Sequence, residues 1–280
     1  MPNPRSPIDD PRSLLMCPPT YYRIAYEINP WMSLKRQADH TRAITQWNRL
    51  YHVLTRTLRV PVRLLPAAPG VPDLVFTANA GLANGRILIR SNFRFPQRQK
   101  EEPIIEAYFE KTGYRVITLD RRYGFEGEGD ALWAGSTLVF GFRFRSDAGA
   151  HAELSRLLKA RVLPVELADQ RFYHLDTCFC PLNDKSVLWF PGAFDRYGRK
   201  VIQSLFEDPI PVTEADAKRF VCNAIVVGRS MVIHEEISPG LRQELTRRGF
   251  QLALVNLSEF LKAGGSAKCL ALHLGPPTTH

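Results

Sequence analysis

The sequence predicts an α/β protein, and three observations carry that expectation. Short apolar runs such as "GRILIRS", "TLVFGF" and "AIVVG" recur along the chain, bounded by glycine, proline or polar residues, as strands are. Between them lie stretches whose apolar residues return at helical spacing, and no low-complexity linker interrupts the alternation. The 280 residues, 45% hydrophobic and 23% charged, are enough to bury a large core, as one domain or two.

Taken in order, the first element after a loose, Pro-rich opening is a helix from Gln37 to Thr55, where Ala43, Ile44, Trp47, Leu50, Tyr51 and Leu54 fall on one face. "VPVRLLP" and "GRILIRS" read as strands. A second helix is predicted from Gln99 to Lys111, with Ile104, Ile105, Tyr108 and Phe109 inward and Gly113 as its stop. Strand "YRVITL", a glycine-rich loop, strand "TLVFGF", helix "AHAELSRLLKA" and strands "RVLPVEL" and "SVLWF" follow. Towards the end, "AIVVG" and "SMVIH" read as paired strands, "SPGLRQELTRRG" as a capped helix and "FQLALV" as the strand after it. Strand, strand, helix, strand is a unit that this order could repeat, with no residue-level repeat visible.

Several function classes recede. The longest apolar runs fall far short of a bilayer span, and "MPNPRSPIDDPRS" lacks the apolar middle of a signal peptide, so a cytoplasmic protein away from membranes is expected. Five cysteines, an odd number, do not suggest a secreted disulfide framework. The net charge of +9 is scattered, with no basic run longer than two, so it reads as a solvated surface and no nucleic-acid partner is expected.

Four segments hold residues suited to chemistry. In "QRFYHLDTCFCPL", read as a strand, His174, Asp176, Cys178 and Cys180 share one face. Two thiols, an imidazole and a carboxylate are all metal ligands, but structural zinc sites space their cysteines through a longer turn, and buried free cysteine is usually inert packing. His174 beside Asp176 better suits a proton shuttle next to a carboxylate that holds a cation. "YGFEGEGDALWAG" sets Glu126, Glu128 and Asp130 in a glycine-spaced loop, which reads either as a ligand site or as a solvated acidic turn. "PDLVFTANAGL" sets Asn79 among small residues, either in a site or in a plain turn. In "FLKAGGSAKCLAL", Cys269 follows a small glycine-rich loop after a short helix at Leu257 to Lys262, a junction that can expose a thiol and lower its pKa.

Together these segments, with "LMCPPTYYRIAYEINPWMS" and "EADAKRFVCNA", resemble the guanidine-modifying superfamily, the pentein propellers that include arginine deiminases, dimethylargininases and amidinotransferases. Within it they are similar to the arginine dihydrolase catalytic domain of cyanobacteria. The resemblance implies a five-bladed α/β propeller of ββαβ-type units, with a flexible segment over residues 1–13 and one domain over 14–280. It implies Cys269 as nucleophile, His174 as general acid and base, and Glu126, or its neighbour Glu128, as the carboxylate that helps proton transfer. Asp176 would hold the guanidinium nitrogens. Asn29, Phe76, Asn79, Arg98 and Arg145 would surround the substrate, the arginines suiting its α-carboxylate, and Asp130 would serve its α-amino end. Cys178 and Cys180 would pack.

The implied reaction takes L-arginine through a covalent cysteine intermediate to ornithine, carbon dioxide and two ammonia, without metal or cofactor. Deiminases of this superfamily carry aspartate where Asn79 stands, and stop at citrulline. A deiminase and a dimethylarginine hydrolase are the competing enzymes; a zinc-binding or a nucleic-acid-binding module competes from outside the class. Association into a homo-oligomer is compatible with all of these.

Overall fold

The computed structural model describes residues 13–275, so the segment expected over 1–13 lies, apart from Ser13, outside the described residues. In chain order the strands are β1 (Leu14–Met16), β2 (Val62–Leu64), β3 (Gly81–Asn84), β4 (Ile87–Arg90), β5 (Arg115–Thr118), β6 (Ala131–Ala134), β7 (Thr137–Phe142), β8 (Arg161–Glu166), β9 (Phe179–Pro181), β10 (Ser186–Trp189), β11 (Asp208–Pro211), β12 (Ile225–Val227), β13 (Ser230–His234), β14 (Gln251–Val255) and β15 (Leu272–His273). They form five three-stranded sheets, and the expected five-bladed α/β propeller is what the chain builds.

Each blade follows one rule. The middle strand pairs antiparallel with the strand before it and parallel with the strand after it, as β4 does with β3 and β5 and β13 does with β12 and β14. A hairpin makes the first connection, and a parallel return needs a crossover, here a helix. Those helices are His40–His52, Glu102–Lys111, Ala150–Leu158, Arg196–Leu205 and Pro239–Arg247. Their starts are set locally: Asp39 accepts from Arg42 N, Asp195 from Tyr197 N and Gly198 N, and Ser238 from Leu241 N ahead of Pro239. One blade breaks chain order. In it β1 is the middle strand, antiparallel to β15 and parallel to β2, so both ends of the chain close the ring.

The structure corrects two sequence expectations. One position does recur: in three of the five blades the hairpin tip is a glycine, Gly85, Gly135 and Gly228, each with φ of 58–59°, a left-handed conformation that glycine adopts without strain. The stretch from His174 to Cys180 is not one strand. Asp130 Oδ1 takes the Leu175 N–H, Thr177 hydrogen-bonds back to the His174 carbonyl, and Cys178 N donates to Leu175 O. These bonds close a tight 3₁₀ turn over Leu175–Thr177, and β9 begins only at Phe179.

That turn belongs to a pattern. Similar 3₁₀ turns at Thr77–Ala80, Gly127–Gly129 and Lys268–Leu270 lead into β3, β6 and β15, and the link from Phe220 to Ala224 leads into β12. The turn at Thr77–Ala80 packs against those at Gly127–Gly129 and Lys268–Leu270, so the links that start the blades meet one another. Their polar residues are therefore brought together by the blade repeat.

Candidate active site

Cys269 sits in the Lys268–Leu270 turn, 2% exposed. Its Sγ lies 3.3 Å from Asp176 Oδ2 and accepts a hydrogen bond from Asn223 Nδ2 at 3.1 Å. Burial and the Asp176 carboxylate push the thiol well above its ordinary pKa. An exposed, acidified thiol was expected; the fold holds a buried one that favours its neutral form.

Two residues before Asp176, His174 belongs to a buried polar cluster. Glu126 is fully buried, and its Oε2 meets His174 Nε2 at 2.8 Å and Arg145 Nη1 at 2.9 Å. Burial alone would raise this carboxyl, but Arg145 and the bond from His174 outweigh it and hold Glu126 well below the usual carboxylate range. For His174, burial prevails over Glu126 and draws the imidazole down to about 4, so it is neutral at pH 7. Of the two glutamates in the loop, it is Glu126 that meets the histidine. Glu128 turns the other way, accepting from Lys268 Nζ at 2.7 Å and His273 N at 3.0 Å, and against the cost of its burial these partners keep it at about 2. Gly127 separates them at φ +59°, where a Cβ would lie 2.6 Å from the Gly81 carbonyl oxygen.

Asp176 Oδ2 faces the sulfur, while its Oδ1 has no hydrogen-bond partner among the described residues. Burial raises Asp176 to about 7, with the Lys268 ammonium as the chief opposing influence. A buried carboxylate oxygen left unsatisfied beside a thiol suits a donor-only cation such as guanidinium.

A cavity opens from Cys269 between Asn29, Phe76, Asn79, Arg98, Arg145 and Tyr173. Both arginines are already anchored. Glu101 grips Arg98 through both carboxylate oxygens at 2.8 Å, and Arg98 Nη1 donates to Asn79 Oδ1 at 2.8 Å. Arg145 Nη2 donates to the Ile28 carbonyl at 3.0 Å, and its guanidinium lies over the Tyr173 and Phe95 rings. Asn29 ties the Ile28–Met32 loop to the Ala263 carbonyl, at 3.0 Å. Asp130 lies outside this cavity. Its oxygens accept from Ser146 Oγ at 2.6 Å and Leu175 N at 3.1 Å, so it supports the His174 turn, where the sequence suggested a hold on the amino end of a ligand.

Two residues escaped the sequence reading. Asp73 is 2% exposed and borders the cavity; an aspartate in the apolar "VPDLVF" was the available signal. Asn223 shows itself only through its hydrogen bonds. Cys178 and Cys180 are buried packing, with the Cys180 thiol pushed up by burial to about 12. Among the described residues, no three His, Cys, Asp or Glu side chains gather as a metal ion would require, and no helix is long and apolar enough to cross a membrane.

Comparison with known proteins identifies the family. The family described as eukaryotic N,N dimethylarginine dimethylhydrolase matches residues 25–274. This chain belongs to that family. Proteins of that family are amidine C–N hydrolases acting on guanidino groups, within the pentein superfamily, and this chain shares their fold. It is 46% identical, over 94% of its length, to the bifunctional arginine dihydrolase/ornithine cyclodeaminase AgrE of Nostoc sp.. It is 38% identical, over 95% of its length and 86% of theirs, to the dimethylarginine dimethylaminohydrolase of Mycobacterium tuberculosis. The chain spans 38% of the length of AgrE and of its Synechocystis counterpart ArgZ. The N-terminal domain of ArgZ, crystallised as a Cys-to-Ser mutant with substrate, superposes with TM-score 0.90 at 42% identity over 95% of this chain and 98% of that one. A crystal structure of an AgrE mutant holds L-arginine, and matches with TM-score 0.91 at 44% identity over 95% of this chain and 40% of that one.

Proposed function

We propose that this enzyme is an arginine dihydrolase. The observation that carries this reading is the amide of Asn79 in the cavity beside Cys269. Its Oδ1 is taken by Arg98 and one Nδ2–H donates to the Glu126 carbonyl at 3.3 Å, which leaves one N–H as the donor for a ligand. An aspartate there would grip a guanidinium with charge-assisted bonds worth about 1.5–3 kcal/mol, whereas a neutral hydrogen bond contributes about 0.5–1.5 kcal/mol. A ureido group, which carries a carbonyl acceptor, suits the amide better. The citrulline-like intermediate then stays bound and is attacked a second time.

The chemistry follows from the neighbours. Asp176 draws the guanidinium in, and the cation's charge beside Sγ favours loss of the Cys269 proton. The sulfur attacks the guanidino carbon, the carbon–nitrogen bond breaks, and ammonia leaves with a proton delivered through His174, which Glu126 orients and stabilises when charged. Water deprotonated by His174 releases the amidino-thioether. Repetition at the same carbon consumes a second water, expels a second ammonia and leaves a carbamate on the ornithine nitrogen; loss of carbon dioxide breaks the last carbon–nitrogen bond, so that arginine and two water molecules become ornithine, carbon dioxide and two ammonia. Asp73, with Asn29, is suited to the α-amino end, and the remaining N–H groups of Arg98 and Arg145 to the α-carboxylate.

The test is incubation with L-arginine, measuring ornithine, citrulline and ammonia. Ornithine with two equivalents of ammonia, abolished by Cys269→Ala and turned towards citrulline by Asn79→Asp, is expected; citrulline with one equivalent from the unmodified enzyme would move it to the deiminases. The M. tuberculosis relative favours a second reading, hydrolysis of a methylated arginine, and dimethylarginine in the same assay decides between the two.

A further inference from the structure

Each link that starts a blade carries polar residues into the site: Asn79, Glu126, His174 with Asp176, Cys269, and in the fifth blade Asn223. That fifth residue has no part in the reaction as derived above. Yet Asn223 is fully buried, and every hydrogen-bonding group of its amide is used. Its Oδ1 accepts from the backbone N–H groups of Ser266 at 3.0 Å and Cys269 at 3.1 Å, which fixes that end of the amide as the oxygen. Its Nδ2 therefore points the other way, donating to the Asp176 carbonyl at 3.0 Å and to Cys269 Sγ at 3.1 Å. Its own carbonyl accepts from Lys268 N at 3.2 Å.

We propose that Asn223 is a catalytic residue, whose Nδ2–H receives the charge on Sγ as the thiol ionises while its Oδ1 shapes the turn that presents the sulfur. This rests on Cys269 being the nucleophile. Asp176 and burial both oppose a thiolate, so a fixed donor on the sulfur matters most after the proton leaves, when the bond becomes charge-assisted. An interaction that strengthens along the reaction accelerates it; one of constant strength does not.

The test reads thiol ionisation without substrate. The pH dependence of Cys269 alkylation by iodoacetamide, mapped by peptide mass spectrometry, is compared in the unmodified enzyme, Asn223→Ala and Asn223→Asp. The expected midpoint rises by at least one pH unit in Asn223→Ala, about tenfold less thiolate at a given pH, and further in Asn223→Asp, where a carboxylate replaces the donor. Unchanged midpoints, with only lower melting temperatures, would overturn the proposal and leave Asn223 a structural tie. If neither variant folds, the Asn223 side-chain amide resonance of 15N-labelled enzyme serves instead: it must move with pH in step with alkylation and stay flat in Cys269→Ser, and indifference to the thiol overturns the proposal. Turnover surviving Cys269→Ala would instead sink the assignment of the nucleophile, a separate result.

Discussion

At the scale of single residues, the pair Lys268 and Glu128 governs the charge of Asp176 from behind the site. Asp176 at about 7 must be ionised to hold a guanidinium, so kcat/KM is expected to rise as pH increases through 7. Removing the Lys268 ammonium raises that pKa, and Lys268→Met is expected to move the limb to higher pH in a pH–rate profile. The same group works against stability. A carboxyl raised from 3.8 to about 7 binds its proton more tightly when folded, so its contribution is full below pH 3.8 and is lost as pH rises through 7. Glu128 has the opposite sign: lowered from 4.5 to about 2, it stabilises the fold above pH 4.5 and loses that contribution as pH falls towards 2. Lys268→Met leaves this buried carboxylate with His273 but without its cation and is expected to cost about 3–5 kcal/mol in urea unfolding at pH 7; Lys268→Met with Glu128→Gln should recover much of it.

At the scale of elements, the tight turns ahead of the first strands decide the geometry. A Cβ on Gly129 would lie 2.3 Å from Asn79 Nδ2 and 3.2 Å from the His174 ring, so the turn lets these two side chains close over its backbone. Gly129→Ala is expected to lower kcat about a hundredfold or more, as misplacement by an ångström does, with the far-ultraviolet circular dichroism unchanged. Asp130→Ala frees the Leu175 N–H and the Ser146 hydroxyl, and the expected loss is about 1–3 kcal/mol of stability together with activity. These turns are also where sequence reasoning stops short. The helix around Trp47 and the strands "TLVFGF" and "SMVIH" announce themselves by period and length. β1 and β15 run only three and two residues, with Leu14, Leu15, Met16 and Leu272 all buried, so no alternation marks them. The helix Arg196–Leu205 went unread because Gly198 interrupts its pattern; there the glycine allows a close approach to Asp195 and Val165. His174, Asp176 and Cys269 have chemically conspicuous residue types, and the resemblance singled them out; the structure brings Asp176 to the Cys269 sulfur. Asp73 and Asn223 were not legible, since an amide or a carboxylate in an apolar segment gains meaning only from partners far along the chain.

At the scale of the whole molecule, the ring is closed by pairing Leu14 with His273 and Leu15 with Leu272. The Thr77 hydroxyl sits 2.8 Å from the Leu15 carbonyl and 3.0 Å from that of Leu270, so the closing strands and the nucleophile turn share one tie. Leu272→Ala removes a fully buried side chain from this closure, and is expected to cost about 2–5 kcal/mol, with activity and fold lost in one thermal transition. The closure also fixes an order of events during synthesis. A growing chain emerges from the ribosome with Glu126, His174 and Asp176 long before Cys269 and the strand that seats it. Four blades can assemble before Cys269 is made, and β1 waits for a strand that follows all of them. The cavity therefore has no thiol beside Asp176 until the Lys268–Leu270 turn forms, and β15, which follows it, ties that turn to β1.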